Sequence, residues 1–198
     1  MSHRRAVLIA ALAFGLTAAA APAAEDGMAR GNPKAKVTVV EYASVGCPHC
    51  GNWARNVWPE FRARYVDTGK VRFVLREAIT GDAELATAGF LTARCAGPAK
   101  YFQVVDAIFE QQQAFYGGGA YDRLLAIAKG AGLSEAQFQA CLKDDDAKTA
   151  LQARSERAVA AGIDATPTFL VNGSKVTDDT LAGLSAAIAK AGKPARRR

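Results

Sequence analysis

Histidine, tryptophan and cysteine are scarce in this chain of 198 residues: two, two and four. Two histidines leave little with which to build a metal centre. Four cysteines are too few to staple a miniprotein together, so their placement matters more than their number. A second long apolar run is also missing. Beyond residues 6–21 no segment approaches the roughly 20 residues that a membrane-spanning helix needs. Charged residues make up only 22% against 50% hydrophobic, which excludes a wholly disordered chain. Eighteen glycines and seven prolines are an ordinary share and exclude collagen-like or proline-rich polymers. The length suits one domain with room for an insertion, and it can bury a core without cross-links.

What is present begins with a leader. Arg4 and Arg5 precede an uncharged run, Ala6 to Ala21, and the small residues Ala21 and Ala23 complete an A-x-A cleavage signature. Residues 1–23 therefore read as a cleavable secretory signal, with an uncleaved anchor as the alternative. Export places the mature chain in an oxidising compartment, where disulfides persist. The formal charge of +6 also has a location. Two basic residues lie in the leader and five in the tail (Lys190, Lys193, Arg196, Arg197, Arg198), leaving a body of 18 basic against 19 acidic residues. The tail, 193–198, reads as a solvated end or as a contact for an acidic surface. No basic patch with interleaved aromatics exists, so nucleic acid is not an expected partner.

In the mature chain, residues 24–36 form a polar lead-in. Val37–Tyr42 is rich in β-branched and aromatic residues and predicts a buried strand. Trp53, Val57, Phe61 and Tyr65 then recur at helical spacing, with Pro59 expected to kink the helix. Val71–Arg76 predicts a second strand, making a β-α-β unit with a parallel crossover. From Asp82 the chain turns alanine-rich and helical, with helices expected over 83–96, 100–113, 120–131, 134–142 and 145–161. Ser134 is the expected N-cap of the fourth. Thr168–Val171 is a strand, Asn172-Gly173 a hairpin turn, and a terminal helix runs from Asp178/Asp179 to Ala191. The plan is an α/β sheet interrupted by a helical block.

One motif carries chemistry. Cys47-Pro48-His49-Cys50 follows a strand and opens a helix. A thiolate there meets unpaired backbone N–H groups and the positive end of the helix dipole, so the pKa of the first cysteine should fall. His49 can stabilise the thiolate by hydrogen bonding or charge. Pro48 loses no hydrogen bond at an early helical position. A depression of ~3 units would favour the reduced form by roughly 4 kcal/mol, making the disulfide oxidising. A purely structural disulfide explains neither the helix-start placement nor the histidine. A zinc site lacks a second ligand pair, because Cys95 and Cys141 are isolated. A Cys-His hydrolase fits poorly, because His49 adjoins its own nucleophile.

With Cys47-Pro48-His49-Cys50 after Val37-Thr-Val-Val-Glu-Tyr, and Gly162-Ile-Asp-Ala-Thr-Pro-Thr-Phe-Leu-Val-Asn-Gly173 near the end, the chain resembles the DsbA family of thiol:disulfide oxidoreductases in the thioredoxin superfamily. The resemblance implies a thioredoxin-like fold over 37–192 with a helical insertion at about 82–145. It implies that Cys47 is the exposed attacking thiol, Cys50 the buried resolving thiol and Glu41 a buried acid exchanging a proton with Cys50. It implies a cis-proline loop at Thr166-Pro167 that, with Pro48, meets an extended substrate. The expected activity is donation of the Cys47–Cys50 disulfide to unfolded exported proteins in the periplasm by a monomer without cofactor or metal, reoxidised by a DsbB-like membrane oxidase. An isomerase or reductase of the same fold and a peptide-binding chaperone are the alternatives. The segment Arg76-Glu77-Ala78-Ile79-Thr80 lacks the aromatic-proline continuation common among relatives, and threonine before the cis-proline also occurs in isomerases and reductases.

The second cysteine pair lies in the helical block. Leu85, Gly89, Thr92 and Cys95 follow one helix stripe, and Phe138, Cys141 and Leu142 another, so both cysteines are expected to face the core. A structural Cys95–Cys141 bridge is the favoured reading, closing a loop worth near ~4 kcal/mol by chain entropy. Free buried thiols and a second redox-active pair are the alternatives.

Overall fold

The computed structural model describes residues 27–193; the leader read over 1–23 and residues 194–198 of the basic tail lie outside the described residues. Five strands, β1 (Met28–Gly31), β2 (Val37–Ala43), β3 (Val71–Glu77), β4 (Thr168–Val171) and β5 (Ser174–Val176), make one sheet in the order β1-β3-β2-β4-β5. The two β-branched runs, β2 and β3, pair in parallel from Val37↔Val71 to Ala43↔Glu77. β4 runs antiparallel to β2 with Glu41 opposite Phe169. Asn172 (φ 46°) and Gly173 (φ 83°) turn the chain into β5, as the hairpin signal requires. β1 was not foreseen. It lies within the segment read as a lead-in and pairs antiparallel with β3, Arg30 opposite Phe73.

Between β2 and β3, α1 (Pro48–Asn56) breaks at Val57 and resumes as α2 (Trp58–Phe61) and one π-helical turn, Arg62–Val66. Pro59 lacks an N–H and crowds the carbonyl four residues back, so the break falls just before it. Trp53, Trp58 and Phe61 from this helix pack on Phe73 and Phe169 of the sheet, with centroids 4.6–6.2 Å apart. That aromatic layer fixes α1 against the face of β2 that carries Glu41.

After β3 the chain leaves the sheet for α3 (Ala83–Cys95), α4 (Tyr101–Phe115), α5 (Ala120–Gly130), α6 (Glu135–Lys143) and α7 (Asp145–Ala160). Asp82 and Asp144 cap α3 and α7, and Ser134 with Gln137 forms a capping box on α6. The terminal helix α8 (Leu181–Ala191) starts two residues later than Asp179 suggests, because Thr180 is its cap. Among the described residues no helix is long and apolar enough to cross a membrane.

Cys95 and Cys141 form a disulfide joining the end of α3 to α6, with Cα atoms 6.2 Å apart. Cys141 is buried, but Cys95 is exposed rather than core-facing. It is the last residue of α3, where the buried stripe ends and Arg94 turns inward toward Glu77. Replacing both cysteines with alanine should cost about 2–4 kcal/mol, read as a lower denaturant midpoint. A midpoint equal to the parent's would show that packing alone holds α3 to α6.

Candidate active site

Cys47 is the N-cap of α1, with extended backbone (φ −93°, ψ 121°), and Pro48 follows in the first turn. No side chain caps this helix end, so its free N–H groups face the Cys47 sulfur. Both Cys47 and Cys50 are free thiols here. Cys47 is not the exposed side chain the resemblance implied. It is 6% exposed and Cys50 is fully buried. The cover comes from far along the chain: the Thr166-Pro167 bond is cis, and the Thr166 carbonyl oxygen lies 3.3 Å from the Cys47 sulfur, within reach of its proton when it is a thiol. Pro48 and His49 are exposed beside it.

The two sulfurs are pushed in opposite directions. Cys47 falls from 9.0 to about 5, chiefly because the Cys50 thiol donates to it. Burial opposes this, while the Thr166 side chain and the backbone N–H groups of Cys50 and His49 add to it. His49 thus acts through its backbone; its imidazole makes no hydrogen bond among the described residues. Cys50 is driven far up by burial first, then by Cys47 and the nearby charge of Glu41, against one N–H from Ser44 at 3.5 Å. Glu41, on β2 and 3% exposed, is raised from 4.5 to about 8, mainly by burial. At neutral pH the site therefore holds a thiolate, a thiol and a protonated carboxyl within one electrostatic neighbourhood.

Several groups at this site escaped the sequence reading. Ser44 Oγ donates to the Thr80 carbonyl (2.8 Å) and accepts from Gly46 N–H (3.2 Å). Asp82 N–H donates to the Gly46 carbonyl at 2.9 Å, so the loops 44–47 and 79–82 run backbone against backbone. A side chain at Gly46 would strike the Asp82 carbonyl. Thr80 and Thr166 share a hydroxyl hydrogen bond of 2.6 Å. Gln112, fully buried on α4, donates to the carbonyls of Val45 and Cys47, each at 2.9 Å. Its signal was in the sequence: it is the polar member of the apolar stripe Val105, Ile108, Gln112, Phe115. With Thr80 as the donor, the Thr166 hydroxyl is polarised toward the Cys47 sulfur, so Thr80→Val should raise the Cys47 midpoint by about half a unit. Thiolate absorbance against pH measures it, and an unmoved midpoint would remove Thr80 from the site.

A profile of the family described as thioredoxin matches residues 23–190. The chain belongs to the thioredoxin family. Within it the likeness is to DsbA-type proteins. The solved structure of Wolbachia pipientis alpha-DsbA1 superposes with a TM-score of 0.74 at 26% identity, over 83% of this chain and 89% of that one. A Rickettsia bellii protein, provisionally named a protein-disulfide oxidoreductase, is 34% identical over 170 residues. That match takes in 84% of this chain and 65% of the relative, so the chain spans less than two thirds of that protein's length. A Bacillus cereus protein with the name "Probable disulfide bond formation protein D" is 29% identical over 161 residues. The fold is thus thioredoxin-like, with α3–α7 lying between β3 and β4 in the chain.

Proposed function

We propose that this protein is a thiol:disulfide oxidoreductase of the DsbA type that donates the Cys47–Cys50 disulfide to exported protein substrates. The observation that carries the reading is the split between the two sulfurs: one stabilised as a thiolate at a helix N-cap, the other buried and held as a thiol. Stabilising the Cys47 thiolate stabilises the reduced state and makes Cys47 a good leaving group.

In the proposed reaction a substrate thiolate attacks Cys47 Sγ of the oxidised protein. The Cys47–Cys50 bond breaks, a mixed disulfide forms through Cys47, and Cys50 leaves with the electron pair. Its buried sulfur cannot stay anionic, so it takes a proton, for which Glu41 is the acid at hand. A second substrate thiolate then attacks the substrate sulfur of the mixed disulfide, and Cys47 departs as the thiolate. The substrate is oxidised by two electrons and the protein reduced by two. The Thr166-Pro167 backbone beside Cys47 supports the reading that substrate lies extended along it, in strand-like pairing, against exposed Pro48.

By the same resemblance the protein works as a monomer in the periplasm, without cofactor, and is reoxidised by a DsbB-like membrane partner. The leader signature and the oxidising compartment it addresses support the location. Cys47→Ser is expected to abolish oxidation of a reduced substrate protein while leaving the far-UV spectrum unchanged. A redox titration should place the parent well above the roughly −270 mV of thioredoxin. A potential as low as thioredoxin's would make the protein a reductase, and a Cys47→Ser protein with full biological activity would make it a chaperone.

A further inference from the structure

Glu41 has charged neighbours that nothing in the motif anticipates. Arg30, on β1, reaches across the aromatic layer to Asp106 on α4 and is gripped by both carboxylate oxygens, at 2.8 and 2.9 Å. Its guanidinium is stacked between the rings of Trp58 and Phe102, 4.0 and 4.1 Å from their centroids. Its Nε is buried and has no hydrogen-bond partner. A planar cation clamped on two faces and one edge cannot swing away, so its charge has a fixed place.

That place lies beside Glu41. Arg30, Phe73 and Val39 form one row across β1, β3 and β2, and Glu41 with Leu75 forms the next row on the same face. Strand spacing and rise put the Arg30 and Glu41 Cα atoms about 12 Å apart, a gap that two long side chains span. The groups acting electrostatically on Glu41 are Arg30 from β1, Asp106 from α4, and Cys47 and Cys50 from α1. β3 and β4 present only Leu75 and Phe169 at its register. Arg30 favours the carboxylate, whereas Asp106 favours the neutral acid. The pair is also wet on one side: Asp106 lines an open cleft with Trp58 and Phe109.

We propose that Arg30 and Asp106 are opposed positioning residues whose joined charges set when Glu41 gives its proton to Cys50 and when it takes it back. This rests on the reading of Glu41 as the proton partner of Cys50. Asp106 belongs to the inserted helices and Arg30 to the sheet, so the insertion has a direct electrostatic hold on the redox centre. Any shift of α4 that loosens the pair leaves the Arg30 charge uncompensated and makes Glu41 a weaker base and a readier proton donor.

The test is the carboxyl 13C titration of Glu41 in the reduced full-length protein, assigned by its loss in Glu41→Gln. Arg30→Met keeps the apolar stem between the two rings and should raise the Glu41 midpoint by about one pH unit. Asp106→Asn, nearly isosteric and partly exposed, should lower it by about one unit. The double variant should fall between the two. A structural role would weaken the protein in both variants without moving the midpoint in opposite senses. Midpoints that move together, or an Asp106→Asn midpoint that does not fall, would overturn the inference, and Asp106→Asn suffices should Arg30→Met not fold. Substrate oxidation by Glu41→Gln separates the two levels. A rate equal to the parent's at pH 6–9 removes the proton role itself and the inference with it. A slowed Glu41→Gln with unmoved titrations in the other variants removes only the inference.

Discussion

The reduced protein is expected to carry a Cys47 thiolate down to about pH 5, four units below the ordinary value of 9.0 for a thiol. Absorbance near 240 nm against pH reads this directly. The linked effect on stability has a definite sign. A group whose folded pKa is depressed adds stability that is fully present above the unfolded value, near 9, and is lost as pH falls through the folded value, near 5. At pH 7, midway between the two midpoints, about half of the full gain is present, roughly 2–3 kcal/mol. The oxidised protein has no such thiolate, so the melting temperature of the reduced form minus that of the oxidised form should climb from pH 4 to pH 9. Glu41 pulls the other way. Its pKa is raised to about 8, so its contribution is complete below about 4.5 and is lost as pH rises through 8. The Cys47 charge is one cause of that rise, so it raises Glu41 further in the reduced form than in the oxidised form, and the same difference measured in Glu41→Gln should climb more steeply. A thiolate midpoint near 9 with a flat difference would remove the physical basis for an oxidising disulfide.

The elements of this site that were legible in the sequence are those that act over a few residues. A CxxC between a β-branched run and a helical stripe already places Cys47 at a helix start, and the helix-start argument gives the direction of its shift. Ser134 as a cap, Pro59 as a break and Asn172-Gly173 as a hairpin follow from one to four residues each. What stayed hidden acts across long separations. Arg30 meets Asp106 76 residues on, and Thr166 covers Cys47 from 119 residues away. Met28–Gly31 has no alternation of its own and becomes a strand only because β3 offers it an edge. In the sequence, charges such as Arg30, Arg94 and Arg154 look like any solvated helix or loop charge. Only packing reveals that each faces inward.

Glu77 shows how much such a hidden charge holds. It ends β3 with no exposed side-chain surface, accepts from Arg94 Nε (2.7 Å) and Tyr101 OH (2.8 Å) on one oxygen, and accepts from Arg154 Nε (2.5 Å) on the other. These partners come from α3, α4 and α7, so one carboxylate fastens three helices to the sheet. It does so two residues before the segment 79–82 that abuts Gly46 and Thr166. Glu77→Ala would leave two arginines facing a dry cavity without a counter-charge, at a cost of about 3–5 kcal/mol. For a domain of this size that is a fall in melting temperature of roughly 10 °C. Glu135→Ala, which breaks only the exposed pair with Lys129, should stay within about 0.5 kcal/mol and serves as the control. The triple variant Glu77→Leu, Arg94→Met, Arg154→Met distinguishes a fastening charge from filled volume. Desolvating three charges is itself costly, so replacing all of them with apolar groups should recover most of the lost stability. If Glu77→Ala melted with the control, the carboxylate would not be what holds the insertion. If the triple variant stayed as unstable as Glu77→Ala, the loss would come from a cavity rather than from unpaired charge, and the role assigned to the arginines would fall.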